Sequence, residues 1–269
     1  MYLLKALGKS VVMFLKDECF YLAASISFFS ILSIVPLSLL IITLFGYFIG
    51  ENQRLYHFVI SGLLNLFPAV TKDVTEELKN VIIYKSINIL MLCIYSVLSL
   101  QLFYSMERAI NVIFKIPRKR HLLLFVFWSI FIVTLLIVFL LLSFTISSYA
   151  GLLREYSVNV IGVEVGVKAA IILKYIAPFI LVLMTFTAIY VIIPRVKISW
   201  RNAFTGAAFV TVLWELAKHV FTYYVKNIVH FGTIYGSLTT FVLFLLWIFY
   251  CSSIFLLGAE FVCNLERRV

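Results

Sequence analysis

Long apolar stretches alternate with short polar segments along the whole chain. Five stretches contain no Asp, Glu, Lys or Arg, and they cover residues 19–50, 86–106, 121–153, 175–194 and 227–259. Each has at least the roughly 20 residues that a helix needs to cross the hydrocarbon core of a bilayer. A further apolar stretch, 203–225, is interrupted only by Glu215, Lys218 and His219, and its strongly apolar flanks mark it as another span. The pattern predicts an all-α, polytopic membrane protein with six transmembrane helices in one domain, residues 1–269.

Composition supports an integral membrane protein and changes the meaning of the net charge. Hydrophobic residues make up 64% of the chain and charged residues 13%, whereas soluble domains have about 45–50% and about 25%. A net charge of +10 would favour nucleic-acid binding in a soluble protein. Here the connecting segments on the side of both termini hold 13 Lys and Arg, against 7 on the other side. The positive-inside rule therefore predicts cytoplasmic N- and C-termini and no nucleic-acid partner.

The first 16 residues predict a helix that lies in the membrane interface. Lys5, Lys9 and Lys16 fall on nearly one helical face, and apolar residues cover the rest of the surface. Such a helix rests among lipid headgroups with its lysines near anionic lipids. Residues 1–16 are therefore expected to anchor the chain without spanning the membrane.

The outer loop, residues 51–85, has the pattern of amphipathic helices. Val74, Leu78, Val81 and Ile82 recur at one-sided helical spacing, and Asp73 suits the N-terminal end of such a helix. One or two short helices over the outer face are expected. The alternative is a solvated linker with chance periodicity.

Charged residues at membrane depth form the most informative feature. Thr211, Glu215, Lys218, His219 and Thr222 recur at spacings of three and four, which places them in one stripe along the fifth predicted helix. Glu215 lies about 18 Å beyond Ala203 at about 1.5 Å per residue, near the bilayer midplane.

Two interpretations of this stripe remain open. It is either a structural cluster in which Glu215 pairs with Lys218 or His219, or the lining of a polar intramembrane path. Intramembrane ionisable residues usually mark routes for substrates, ions or protons. On the second interpretation, His219 and Glu215 change protonation during transport.

A second group of charges gathers at the predicted cytoplasmic rim, and its members end or connect different spans. It predicts an ion-pair network with a possible gate, against the alternative of ordinary solvated helix ends. The residues assigned to this network are Asp17, Glu107, Arg108, Arg195, Arg201 and Glu260.

Two stretches resemble the YihY/BrkB family of bacterial membrane proteins. The first is KDECFYLAASISFFSILSIVPLSLL, in which the matching residues are Asp17, Ala23, Ala24, Phe28, Phe29, Ser33 and Pro36. The second runs from Tyr-Gly-Ser at 235–237 through Leu-Trp at 246–247 to Gly-Ala-Glu at 258–260. The resemblance implies a six-helix protein of the bacterial inner membrane with both termini inside. It supplies no reaction, although members have carried an old ribonuclease label.

Residue chemistry does not favour an enzyme. A metal-dependent nuclease needs clustered His and Asp ligands, but His57, His121, His219 and His230 are scattered along the chain. No metal, cofactor or catalytic residue is predicted. The leading functional hypothesis is a transporter or flippase-like protein for an amphiphilic or lipid-linked substrate, with membrane lipids as partners. The alternatives are a structural or scaffolding protein of envelope assembly and, third, a channel; the oligomeric state stays open.

Overall fold

The computed structural model of the chain describes residues 2–33, 89–116, 163–194, 196–227 and 239–267. All regular secondary structure within these ranges is helical, as the sequence pattern predicts. We number the helices α1 to α6 in chain order: Tyr2–Lys16, Cys19–Ser33, Ile89–Ile113, Val163–Ile192, Trp200–Asn227 and Thr239–Glu266.

Within the described ranges, one helical stretch is long and apolar enough to cross a membrane, and it is Phe241–Glu266 in α6. Cys19–Ser33 and Phe179–Ile192 are shorter apolar helices. The number of six spans therefore stays a prediction. The predicted span 121–153 and the predicted helices of the outer loop, 51–85, lie outside the described residues.

Several helices are longer than the charge-free stretches that predicted them. α4 has 30 residues and begins at Val163, twelve residues before the charge-free stretch starts at 175. At about 1.5 Å per residue, this helix is about 45 Å long, which exceeds the hydrocarbon core of about 30 Å. Absence of charge marks the apolar part of a helix, whereas backbone hydrogen bonding continues into the polar ends.

Small residues allow α5 and α6 to approach closely. A Cβ atom added at Gly206 of α5 would collide with Val262, and one added at Gly258 of α6 would collide with Val210 and the Tyr190 hydroxyl. Apolar packing inside a membrane relies on such close contacts, because lipid gives little hydrophobic drive for helix association. α6 also contacts α1 and α3, while α5 contacts α4. α6 is thus the central helix of the described part of the bundle.

A tight corner joins α1 to α2 and places α1 against α6. Glu18 has a positive φ of 54°, and its carbonyl oxygen accepts the first backbone hydrogen bonds of α2, from Tyr21 and Leu22. On the buried face of α1, Ser10 Oγ accepts a hydrogen bond of 3.0 Å from the Asn264 amide. Residues 2–16 are helical, and the location of this helix in the membrane interface stays a prediction.

Serine side chains link α2 to α3 and α6. Ser27 Oγ lies 3.4 Å from Ser252 Oγ on α6, and Ser25 Oγ lies 3.3 Å from Ser105 Oγ on α3. Short hydroxyl side chains permit close helix contact and satisfy each other where no water is present. These contacts hold α2, α3 and α6 together at one end of the bundle.

Candidate functional site

The predicted stripe on α5 is buried at its Thr211 end and exposed at its Thr222 end. Thr211 is fully buried, and its hydroxyl donates to the Ala207 carbonyl over 2.8 Å. Glu215 and Lys218 form an ion pair of 2.7 Å with side chains that are 35% and 46% exposed, respectively. His219 and Thr222 are exposed. The structure therefore brings Glu215 and Lys218 together within one helix.

An apolar surface lies directly beside this ion pair. Val212, Leu216 and Val220 on α5 are among the exposed large hydrophobic residues of the structure. The remaining faces of α5 pack on α4 and α6. The ion pair lies near the middle of α5, at the edge of this exposed apolar surface. The two features together provide a polar surface and an apolar surface side by side.

Aromatic side chains close the other side of the stripe. Trp214 of α5 packs edge-on against Trp247 of α6 at 5.9 Å between ring centroids, and Phe221 lies 4.8 Å from the same ring. Phe186 of α4 packs edge-on against Trp214 at 5.8 Å. These contacts give the Leu-Trp pair at 246–247 a physical role, because Trp247 fixes the packed face of α5 behind the polar residues.

Two of the residues assigned to the rim network, Asp17 and Glu260, meet at the corner between α1 and α2. The two carboxyl groups are electrostatic neighbours, and the Cys19 thiol donates to Glu260 Oε1 over 3.9 Å. The arrangement is thus a pair of neighbouring acidic groups, with the cation of Arg267 as a further electrostatic neighbour.

The C-terminal end of α6 caps two other helices. The Arg267 guanidinium and the Cys263 thiol both donate to the Ile113 carbonyl at the end of α3, over 3.2 and 3.5 Å. Glu266 Oε2 accepts from the Ser199 backbone N–H over 3.2 Å and from the Asn202 amide over 2.6 Å. A cation at a helix C-terminus and an anion at a helix N-terminus both complement the helix dipole.

A cavity of about 330 Å³ opens beside the C-terminal part of α3. Its described lining is Tyr104, Glu107, Arg108, Asn111, Val112, Lys115 and Ile116. Glu107 and Asn111 are buried, while Arg108 and Lys115 are exposed. Asn111 Oδ1 is buried and has no hydrogen-bond partner. The lining of the cavity therefore includes two exposed basic residues and one buried acidic residue.

Three more residues assigned to the rim network are among the described residues. Glu107 and Arg108 line the α3 cavity, Arg201 is exposed at the start of α5, and Arg195 lies outside the described residues. The network and its gate stay a prediction.

Sequence reasoning did not single out four polar residues that the structure places at contacts: Asn111, Lys115, Glu266 and Arg267. The helical spacing of Glu107, Asn111 and Lys115, four residues apart, would have revealed the cavity face of α3. No local sequence signal marks Glu266 and Arg267, because their partners lie on other helices. Among the described residues, no group of three or more His, Cys, Asp and Glu could hold a metal ion.

Comparison with known proteins assigns the chain to a family. The model of the family described as virulence factor BrkB matches residues 11–269, and the chain belongs to this family. The resemblance inferred from the two sequence signatures is thereby confirmed. No solved structure matches the chain.

The relatives are membrane proteins by name. A UPF0761 membrane protein of Legionella pneumophila (strain Philadelphia 1) is 29% identical over 252 residues, which cover 92% of this chain and 58% of the relative. One of Nitrosospira multiformis is 27% identical over 265 residues, covering 95% and 59%. One of Coxiella burnetii (strain Dugway) is 29% identical over 250 residues, covering 91% and 87%. The chain is a membrane protein that spans less than two thirds of the length of the first two relatives.

Proposed function

We propose that the chain is a transporter or flippase-like protein that moves an amphiphilic or lipid-linked substrate along the polar stripe of α5. The observation that carries the proposal is the ion pair between Glu215 and Lys218, which is partly exposed near the middle of α5. A substrate headgroup would pass along these charges while its acyl chain stays on the open apolar surface of Val212, Leu216 and Val220. Translocation of this kind needs no covalent chemistry, so no catalytic residue or cofactor is assigned.

Support for a path comes from the exposure of the ion pair. The pairing itself is common to both interpretations, because the structural cluster also joins Glu215 to Lys218. Here both partners belong to α5, three residues apart, and both side chains reach the open face. Charged groups at membrane depth are costly and are kept where they face a polar cavity or another charge. Serine and threonine would satisfy a purely structural role at lower desolvation cost.

The proposed topology places the stripe between two aqueous sides. The apolar stretches support six spans, the charge distribution of the connecting segments supports cytoplasmic N- and C-termini, and the family resemblance implies the bacterial inner membrane. α1 then lies in the cytoplasmic interface, and the acidic pair of Asp17 and Glu260 lies at the cytoplasmic rim. Membrane lipids are the expected partners, and no nucleic acid is involved.

Lipid translocation in proteoliposomes tests the proposal. The purified chain is reconstituted with fluorescent phospholipids and with a fluorescent polyprenyl phosphate, with and without a proton gradient. A membrane-impermeant quencher then reports the rate at which each probe changes leaflet. Translocation of at least one probe above the rate in protein-free vesicles is expected. Rates equal to those of protein-free vesicles for every probe, with folded protein, contradict the proposal and favour a scaffolding role.

A scaffolding protein of envelope assembly remains the competing function. It predicts a stoichiometric protein partner on gentle purification and vesicles in which no lipid probe moves. It also predicts that neutralising Glu215 and Lys218 affects only folding. The lipid translocation rate in the same reconstituted sample therefore distinguishes the two functions.

A further inference from the structure

We infer that the stripe on α5 selects a zwitterionic lipid, whose headgroup joins a phosphate to an ammonium group, over lipids whose headgroup carries charge of one sign. The inference rests on the proposed function, because it names the substrate class of the same stripe. The ion pair between Glu215 and Lys218 supplies the two opposite charges that such a headgroup needs.

A ligand can reach both members of the ion pair. Glu215 Oε1 and Lys218 Nζ are 2.7 Å apart, while the Glu215 side chain is 35% exposed and the Lys218 side chain 46%. The pair is internal to α5, and an exposed pair at this spacing contributes little to the stability of a helix. A ligand that offers one anion and one cation can therefore replace the internal pairing at little cost to the fold.

The neighbouring helices bring no further charge to this part of the stripe. Trp214, one residue before Glu215, packs on Phe186 of α4 and Trp247 of α6. The stretches around these two aromatic partners, 175–194 and 239–259, contain no Asp, Glu, Lys or Arg. His219 is the remaining ionisable residue of the stripe, and it is exposed. In the described part of the chain, the site therefore presents one carboxylate beside one ammonium group.

This charge balance favours a zwitterion. A purely anionic headgroup would pair with Lys218 and take the cation away from Glu215, and a purely cationic headgroup would do the reverse. A charge that loses its partner at membrane depth is costly. A phosphate linked to an ammonium group gives Lys218 an anion and Glu215 a cation together, so both charges stay paired. Selectivity thus comes from the charge that the wrong ligand leaves unpaired.

The apolar surface beside the ion pair favours a lipid over a soluble zwitterion. Val212, Leu216 and Val220 are exposed, and their spacing of four residues aligns them along one side of α5. An acyl chain that lies on this surface removes apolar area from water, which a soluble zwitterion cannot do. The ligand is therefore a zwitterionic phospholipid, with its headgroup at the ion pair and its acyl chains along the three apolar residues.

Selective translocation in proteoliposomes tests the inference. Each probe carries its fluorophore on an acyl chain, so that the headgroup is intact. Phosphatidylethanolamine and phosphatidylcholine are zwitterionic, phosphatidylglycerol is anionic, and a lipid with a trimethylammonium headgroup is cationic. We expect each zwitterionic probe to change leaflet about tenfold faster than either singly charged probe, which is the ratio that one charge-assisted contact provides. Soluble glycerophosphocholine, added as a competitor, is expected to have no effect on these rates.

Single neutralisations of the ion pair are expected to change the selectivity in opposite directions. Glu215→Gln leaves a cation and is expected to favour phosphatidylglycerol over the zwitterionic probes. Lys218→Gln leaves an anion and is expected to favour the cationic probe. Glu18→Gln and Lys197→Gln remove exposed charges outside the stripe, and as matched controls they are expected to keep the wild-type order of the four probes. Thermal unfolding confirms that each variant is folded, and the order of the probes in the unsubstituted protein tests the inference without any variant.

Other results overturn the inference. Phosphatidylglycerol that moves as fast as the zwitterionic probes contradicts the selectivity and leaves the proposed function intact. An unchanged order of the probes in Glu215→Gln and Lys218→Gln contradicts the role of the ion pair. Glycerophosphocholine that blocks translocation at the concentration of the lipid probe assigns the site to a soluble zwitterion. Rates equal to those of protein-free vesicles for all four probes contradict the proposed function itself, and the inference with it.

Discussion

The hydroxyl group of Tyr190 donates a hydrogen bond of 2.7 Å to the carbonyl oxygen of Phe255, and the rings of the same two residues stack at 5.5 Å. Tyr190 is fully buried on α4, and Phe255 belongs to the central helix α6. The contact requires Gly258, because a side chain there would collide with the Tyr190 hydroxyl. The glycine of the Gly-Ala-Glu signature therefore has a structural role, because it allows Tyr190 to pack against α6.

Substitution of this glycine tests the close contact. Gly258→Ala is expected to lower the free energy of unfolding by about 1–3 kcal/mol, because the added methyl group forces Tyr190 and Val210 to move. Gly8→Ala is the matched control, since nothing lies within 4 Å of the Cβ position at Gly8. The control is expected to be neutral or to stabilise α1 by about 0.5–1 kcal/mol. Thermal unfolding of the two purified variants in the same detergent provides the measurement, and equal losses would contradict the packing of α4, α5 and α6.

The acidic pair at the α1–α2 corner predicts opposite effects for two substitutions of Glu260. Glu260→Gln is expected to keep or raise stability, because it removes the repulsion between two neighbouring acidic groups. Glu260→Ala is expected to cost about 1–3 kcal/mol, because it leaves Asp17 and the Cys19 thiol without their buried partner. Chemical or thermal unfolding near neutral pH distinguishes them. An ion-pair role for Glu260 would instead make Glu260→Gln nearly as harmful as Glu260→Ala.

The carboxylate of Glu266 at the start of α5 predicts a capping effect. Glu266→Ala is expected to lower the free energy of unfolding by about 1 kcal/mol, since it removes the acceptor for the Ser199 N–H and the Asn202 amide. Glu266→Gln keeps one side-chain oxygen as acceptor and is expected to cost less. The comparison of the two melting curves provides the check. A loss of the same size for Glu266→Gln would assign the effect to charge alone.

Neutralising the ion pair on α5 separates the two interpretations of the stripe. The double variant Glu215→Gln, Lys218→Gln is expected to fold with little change in stability, because an exposed pair three residues apart in one helix contributes only about 0.2–0.5 kcal/mol. Its lipid translocation rate is expected to fall at least about tenfold. A variant that loses its fold together with its activity would support the structural cluster.

Sequence patterns correctly predicted that the described residues are helical, because apolar runs and helical spacing are local properties. The ion pair between Glu215 and Lys218 could also be predicted from the sequence, because both residues lie within one turn of α5. α4 begins at Val163, twelve residues before its charge-free stretch, because charged residues can belong to the polar end of a helix without ending it.

Contacts between distant helices could not be predicted from one sequence. Asp17 and Glu260 were both assigned to an ion-pair network, but their contact is between two acids, because the fold brings the α1–α2 corner against α6. Asn111 carries no local sequence signal, because the lack of a partner for its Oδ1 atom depends on how the fold buries it.

A polar path along α5 requires that water reaches the polar face of this helix at membrane depth. The accessibility of single cysteines to a thiol reagent measures this property. In a background with the four native cysteines changed to serine, single cysteines replace Lys218 and Thr222 on the stripe and Val212 and Leu216 on the apolar surface. A charged, membrane-impermeant thiol reagent is then added to reconstituted protein. We predict rapid modification at 218 and 222 and slow modification at 212 and 216. Equal and slow modification at all four positions would contradict a polar path along α5.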